Sequence, residues 1–185
     1  MAHNPHVYLD IEIEGDEEGR IIIELFADKL PITCESFRAL CTGEKGKSKK
    51  SEYKLHFKSS KFHRIIPHFM VQSGDFTTKD GYGGEHIYED EYMKDEGFFF
   101  KHDKPGMLSL ANDGKNHNKS QFFITTGKAS HLDGKHVVFG RVVKGMSVVG
   151  KIEDCGGMDG VPTKECIISD CGQLNQREIN KVHMV

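Results

Sequence analysis

Short apolar segments separated by glycine-containing turns recur between residues 62 and 172. Each segment is four to seven residues long, which suits a strand and is shorter than an ordinary helix. Many short strands with turn signals between them are typical of all-β sandwiches and barrels. We therefore predict a mainly β chain, with strands in this region at Phe62–Ile66, Met70–Ser73, Gly97–Phe100, Met107–Leu110, Phe122–Thr125, Val137–Val142 and Cys166–Gly172.

The N-terminal part of the chain predicts a β-hairpin. Apolar and polar residues alternate from His6 to Glu14, as they do in a half-buried strand. Gly15–Gly19 is interpreted as a turn and Arg20–Phe26 as the returning strand. Two antiparallel strands joined in this way form a hairpin.

Two helices are predicted as well. The first begins at Pro31, where a missing N–H is harmless, and ends at Gly43. Its apolar residues recur at helical spacing and form a stripe that would face the core. A second, shorter helix is expected at Met146–Ile152.

The composition limits the function classes. A chain of 185 residues with a net charge of −3 has the length of one domain and gives no electrostatic case for nucleic acid. No segment approaches the roughly 20 apolar residues of a membrane span. The N-terminus lacks the layout of a secretory signal, and five cysteines without a CxxC motif predict a reduced protein of the cytoplasm or nucleus.

Residues 43–61 are polar and rich in lysine, and we predict a long loop there. Long loops in compact domains are often functional. A solvated insertion without a partner is an equally good interpretation of the same residues.

Three longer segments identify a family. They are FHRIIPHFMVQSGDF (62–76), SLANDGKNHNKSQFFI (109–124) and HLDGKHVVFGRV (131–142), supported by residues 24–46, 81–88 and 169–174. Together they resemble the cyclophilins, which are peptidyl-prolyl cis-trans isomerases. The resemblance implies a closed eight-stranded antiparallel β-barrel capped by two α-helices. It covers one domain at 6–174, with short terminal extensions at 1–5 and 175–185.

The resemblance also assigns roles to single residues. Arg64 matches the catalytic arginine, whose guanidinium stays charged and presents its donors in a rigid plane. The catalytic set it implies is Arg64, Phe69, Gln72 and His63. The substrate-binding set is Met70, Ala111, Asn112, Gln121, Phe123, His131, Leu132 and His136, and the secondary pocket contains Thr77, Gly81, Asp113, Lys119 and Ser120. The partners expected are proline-containing peptides and proteins and the drug cyclosporin. Rotation about an amide makes and breaks no covalent bond, so no cofactor and no metal are expected.

The chain departs from the family pattern at His131, where many cyclophilins carry Trp, and its 185 residues contain no Trp. His is smaller and donates through one tautomer only, or when protonated. We therefore expect cyclosporin to bind more weakly here than to relatives with Trp.

The 43–61 loop resembles that of a divergent-loop subclass, which often pairs it with two cysteines. These match Cys41 and Cys171, so a redox switch is one interpretation. Two buried reduced thiols are the other, because free Cys often serves as a small core residue.

Two other function classes compete with a monomeric isomerase. A docking module would hold a proline-containing loop in a larger assembly, with incidental turnover. A metalloprotein is suggested by the 11 His, including His63 and His68, but no HExxH or comparable ligand motif occurs.

Overall fold

The computed structural model describes residues 3–184. Within them the protein has eight strands, three α-helices and two 3-10 turns, at Ser130–Leu132 and Met158–Gly160. The strands are β1 His6–Ile13, β2 Asp16–Leu25, β3 Arg64–Ile66, β4 Met70–Ser73, β5 Met107–Asn112, β6 Asn118–Thr125, β7 Val138–Lys144 and β8 Cys166–Gln173. The helices are α1 Pro31–Thr42, α2 Met146–Glu153 and α3 Gln176–Val182.

All eight strands belong to one antiparallel sheet in the order β3-β4-β6-β5-β7-β2-β1-β8. The sheet curls so that the segment before β3 reaches β8. Phe62 N donates to Cys166 O at 2.9 Å, and Ser59 N donates to Ile168 O at 2.7 Å. These bonds join the segment before β3 to β8, at the opposite edge of the sheet. The expected mainly β fold with eight antiparallel strands is confirmed.

The core lies inside the curled sheet and is rich in phenylalanine. The ring of Phe37, on α1, lies 5.0 Å from those of Phe57 and Phe122 and 5.2 Å from that of Phe139, between centroids. All four side chains are buried. The apolar stripe predicted for the first helix therefore faces this core.

Two predicted segments differ from the structure. The hairpin turn is shorter than expected, because Asp16 already pairs with Ile13 and only Glu14 and Gly15 connect the strands. The predicted strand Gly97–Phe100 is wrong, since this segment has no regular secondary structure. Phe98 and Phe99 are exposed, and Phe100 packs against Phe26 with 4.2 Å between centroids, so the segment is apolar without pairing into the sheet.

The 43–61 loop is held to the body of the protein. Leu55 and Phe57 are buried in the core. The carboxylate of Glu85 accepts hydrogen bonds from the hydroxyls of Ser48 and Ser51. The loop is thus anchored at both its middle and its end.

Helix α3 occupies most of the segment expected to be a C-terminal extension. Asn175 caps it, since its side chain accepts from Glu178 N while the Glu178 carboxylate accepts from Asn175 N. Ile179 is buried against Ile22 and Leu174. The extension therefore packs onto the sheet as a third helix. Among the helices described, none has the length and apolar character needed to cross a membrane.

Candidate active site

Three adjacent strands place the predicted catalytic side chains in one row. Arg64 on β3 is paired with Gln72 on β4, and Gln72 is paired with Phe123 on β6. Successive side chains of a strand point to opposite faces of the sheet. Because Ile65 and Val71 are fully buried in the core, Arg64, Gln72 and Phe123 lie on the outer face.

A pocket of about 320 Å³ opens on this outer face. It collects ten of the residues expected at the site, from four separate parts of the chain. They are Arg64, Phe69, Met70, Gln72, Ala111, Asn112, Phe123, His131, Leu132 and His136. The sheet supplies the base of the pocket, and the loops after β3 and β6 supply its sides.

The base of the pocket is apolar. Met70 and Phe123 are only 2% and 3% exposed, although they lie outside the core. His131 lies in the 3-10 turn after β6, and its ring is 5.4 Å from that of Phe69. These side chains leave a small hollow lined by rings and a thioether, which suits a compact apolar group such as a proline ring.

Arg64 lies at the edge of the pocket with its guanidinium exposed. Its aliphatic part packs against Gly160, where an added Cβ would come within 3.1 Å of Arg64 Cγ. Gly160 also has a φ of +80°, which favours glycine. Within residues 3–184 no carboxylate forms a salt bridge with Arg64, so its donors remain available to a ligand.

Gln72 is oriented by a chain of amides. Its Nε2 donates to Gln121 Oε1 at 3.0 Å. Gln121 Nε2 in turn donates to the carbonyl oxygens of Gly81 and Gly83, both at 2.9 Å. One of the two N–H donors of Gln72 is occupied in this way, and its carbonyl oxygen remains available as an acceptor.

A buried polar network supports the pocket from below. Asp133 Oδ1 accepts from His102 N at 2.8 Å and from His102 Nδ1 at 2.9 Å. The other ring nitrogen, Nε2, lies 2.8 Å from Ser109 Oγ. Burial lowers the pKa of His102 against the opposing effect of Asp133, and the Ser109 hydroxyl lies between the ring and Val137 O, which is 3.2 Å from Ser109 Oγ. His102 is stacked on Phe123 and thereby fixes the ring at the base of the pocket.

Asn112 and His136 brace the far side of the pocket. Asn112 Nδ2 donates to Lys135 O at 3.0 Å. His136 Nδ1 lies 2.8 Å from Leu110 O, and only an N–H can face a carbonyl oxygen at this distance. Both side chains are thus held by backbone carbonyl groups, Asn112 by that of Lys135 and His136 by that of Leu110.

A second pocket of about 220 Å³ adjoins the first and shares Gln72, Ala111 and Asn112 with it. It contains three of the residues expected there: Gly81, Asp113 and Lys119. Thr77 and Ser120 do not line it. Thr77 Oγ1 donates to Asp75, and the buried Ser120 Oγ donates to Gly74 O at 2.7 Å.

Asp75 holds the loop that forms one wall of the second pocket. Its carboxylate accepts from the backbone N–H groups of Asp80, Gly81 and Gly83. Burial alone would raise the pKa of Asp75, but these N–H donors outweigh it and the pKa falls from 3.8 to about 2. The charged form of the carboxylate is thus what orders the loop.

His63 is half-buried beside the second pocket and does not line the first. Its ring packs against Gly81, where an added Cβ would lie 2.9 Å from His63 Cδ2. Burial lowers the pKa of His63. The residue therefore supports the wall that contains Gly81.

Charges and aromatic rings form the rim of the second pocket. Asp113 Oδ1 lies 3.2 Å from His117 Nδ1, and the ring of His117 is stacked on Tyr92 at 4.3 Å. The ammonium of Lys119 lies 4.9 Å from the centroid of the same Tyr92 ring. The rim thus offers both signs of charge to an extended ligand.

The two cysteines of the expected redox pair lie on α1 and β8, both in the core. Both are free thiols. Burial raises the pKa of Cys41 well above its usual value and that of Cys171 to about 12. Within residues 3–184 no group of three or more His, Cys, Asp or Glu side chains is arranged to hold a metal ion.

Several residues that shape the site were not predicted from the sequence. His102, Ser109 and Asp133 act below the pocket, while Tyr82 and Tyr92 line its neighbour. Asp133 lies inside the HLDGKH segment, so the family motif contained it without indicating its partner. Ser109 likewise begins the 109–124 segment and lies on β5, whereas His102, Tyr82 and Tyr92 lie outside the strands and helices, where periodicity carries no information.

A comparison with known protein families bears on this geometry. The family model described as "Cyclophilin type peptidyl-prolyl cis-trans isomerase/CLD" matches residues 8–173. The match spans nearly the whole sheet, including every strand that contributes to the two pockets.

Proposed function

Because the chain belongs to the cyclophilin-type peptidyl-prolyl cis-trans isomerases, we propose that it binds X–Pro segments in the two adjoining pockets. The proline ring enters the pocket above Met70 and Phe123, and the residues before it extend into the second pocket. This placement is supported by the row Arg64–Gln72–Phe123, which sets a cationic donor, an amide acceptor and an apolar base side by side.

The reaction needs only stabilisation of a twisted amide. Rotation about the prolyl bond has a barrier of about 18–20 kcal/mol, because it breaks amide resonance. In the twisted state the nitrogen lone pair is localised and accepts a hydrogen bond. Arg64, held against Gly160, is the donor that fits this role. A fixed charged donor stabilises the twisted state more than either planar state and so lowers the barrier.

Gln72 and the apolar base contribute by orientation. The Gln72 carbonyl oxygen accepts from a backbone N–H of the substrate, and the hollow around Phe123 holds the ring still. One side of the rotating bond is thereby fixed while the other turns. Restricting the reacting groups in this way lowers the entropic part of the barrier.

The test is a protease-coupled assay on a proline tetrapeptide with wild type, Arg64→Ala and Arg64→Lys. We expect kcat/KM to fall roughly 100-fold or more for Arg64→Ala. Arg64→Lys should recover only part of this loss, since an ammonium lacks the planar array of donors. Arg177→Ala, an exposed arginine on α3, is the matched control and should equal wild type.

Two results of this assay would contradict the proposal. Wild-type activity in Arg64→Ala would show that Arg64 is not the donor. Background rates for wild type itself would favour the docking module, which holds proline segments without turning them over.

We also propose that the protein assists folding of proline-containing proteins in the cytoplasm or nucleus, as a monomer. The five free, buried thiols are compatible with a reducing compartment. Uncatalysed prolyl isomerisation takes 10–100 s and limits the folding of many chains. Addition of the protein should speed the slow refolding phase of such a client, and Arg64→Ala should not. Cell fractionation and sedimentation test the location and the monomeric state.

A further inference from the structure

Two histidines from opposite ends of the described chain meet on the side of β1. His6 is the first residue of β1, and His183 follows the last residue of α3. Their Nε2 atoms are 3.3 Å apart, and the ring planes are nearly perpendicular. The pair is distant in sequence from every residue of the two pockets.

The tautomer of His6 follows from its other nitrogen. Nδ1 lies 3.0 Å from the carbonyl oxygen of Asn4, so it carries the proton and donates. Nε2 of His6 therefore directs a lone pair toward His183. A backbone carbonyl that fixes the outer nitrogen of an imidazole is the usual support of a histidine that ligates a metal.

The separation of the two nitrogens fits a shared metal ion. Zn²⁺ binds imidazole nitrogen at about 2.0–2.1 Å, and tetrahedral geometry then sets two such nitrogens roughly 3.3 Å apart. We propose that His6 and His183 form a binding site for a divalent transition metal ion, represented experimentally by Zn²⁺.

The surroundings suit a cation with two protein ligands. His183 is exposed, so an ion can reach the pair from solvent, whereas His6 is only 5% exposed and is held in place. Glu24, the residue opposite His6 on β2, is held by Asn4 and Arg141, and Arg141 partly offsets its negative charge. Since no group of three possible ligands occurs within residues 3–184, water completes the coordination.

Metal binding would move one proton on His183 from Nε2 to Nδ1. Without metal, His183 donates its Nε2 proton to the lone pair of His6. With metal, His183 binds through Nε2 and carries its proton on Nδ1 instead, so both rings remain neutral. Binding therefore weakens at acidic pH, where the imidazoles become protonated.

The metal would fasten α3 to β1 and leave the isomerase reaction unchanged. The proline pocket is built on β3, β4 and β6, whereas the histidine pair joins β1 to the C-terminal helix. The proposal is therefore independent of the proposed function, and the two can fail separately.

The test is titration of the full chain with ZnCl₂ by calorimetry at pH 7.5. The variant is His183→Asn, and His68→Asn is the matched control, because His68 is also exposed and its positive φ tolerates Asn. We expect one Zn²⁺ bound per wild-type chain, at least tenfold weaker binding in His183→Asn, and wild-type binding in His68→Asn. Equal affinity of wild type and His183→Asn would overturn the proposal.

Imidazole nitrogen NMR gives a second readout that needs no variant. Zn²⁺ should shift the Nε2 resonances of His6 and His183 and leave those of His102 and His136 in place. Unmoved resonances of the pair at saturating Zn²⁺ would reject the site even if the ion binds elsewhere.

Discussion

The imidazole of His102 lies nearly parallel to the ring of Phe123, with 13° between the planes and 5.8 Å between the centroids. One ring is fully buried and forms hydrogen bonds at both nitrogens. The other forms the base of the proline pocket. The position of the pocket floor is thus determined by a polar network whose members do not line the pocket.

We predict that Asp133→Ala weakens this floor. The substitution leaves two donors of the buried His102 without a partner, which destabilises the fold by about 1–3 kcal/mol. Phe123 loses its fixed support, so KM for a proline peptide should rise. Urea unfolding and peptide kinetics measure the two effects. Asp103→Ala, an exposed neighbour of His102, serves as the control, and identical midpoints for both variants would refute the role of the network.

The second prediction concerns the stability of the fold at acidic pH, which depends on Asp75. The pKa of Asp75 is about 2 in the folded protein against 3.8 for the free side chain. A depressed carboxyl pKa stabilises the fold above the unfolded value, and this stability is lost as pH falls from about 4 to about 2. The shift corresponds to about 2 kcal/mol.

Asp75→Asn should therefore lower the free energy of unfolding by about 2 kcal/mol at pH 7 and have little effect at pH 2. It should also change the preference for residues before proline, since the loop lines the second pocket. Urea titrations at several pH values test the first statement. Asp90→Asn is the exposed control; a pH-independent loss in Asp75→Asn would show that the charge is not what matters.

The third prediction concerns cyclosporin. His131 lies 5.4 Å from Phe69 on the wall of the proline pocket. His131→Trp adds apolar surface and an indole N–H. We expect tighter cyclosporin binding by calorimetry, with kcat/KM on small peptides changed little. An unaltered Kd would mean that this wall does not contact the drug.

The fourth prediction concerns oxidation of Cys41 and Cys171. The thiolate is the reactive form of cysteine, and burial raises the pKa of both thiols. We therefore expect mild peroxide to leave the free-thiol count and the activity unchanged.

Cys171→Ser tests the redox switch directly. A reversible loss of two thiols and of activity in wild type, absent from Cys171→Ser, would establish the switch. The same loss in both proteins would implicate other buried thiols, such as Cys155 and Cys166.

The sequence predicted a helix or strand well where particular residues mark its ends. Pro31 and Gly43 bracket α1 as expected, because each residue acts through its own backbone geometry. The Gly97–Phe100 segment failed because three adjacent aromatic residues resemble a strand whether or not a partner strand is available. Helix α3 carried a readable signal, the Asn175–Glu178 capping box, but lay beyond the family motifs.

The site shows the same division. Arg64, Gln72 and Phe123 follow from motifs that fall on paired strands, and the sheet brings these residues together. Thr77 and Ser120 were expected in the second pocket, yet both side chains bond to the backbone or to Asp75 below it. Whether such side chains line the pocket depends on the conformation of the loops. That conformation depends on contacts between residues far apart in the sequence, which a local pattern does not reveal.

The pairing of β3, β4 and β6 fixes the distance between Arg64 and Phe123. Neighbouring strands are about 4.8 Å apart, so the backbone positions of Arg64 and Phe123 are separated by two strand spacings, or about 10 Å. The hydrogen bonds between the strands keep this distance fixed. Changes in the loops can therefore alter which residues are accepted next to proline. The distance between the arginine and the base of the proline pocket stays the same, because the sheet sets it.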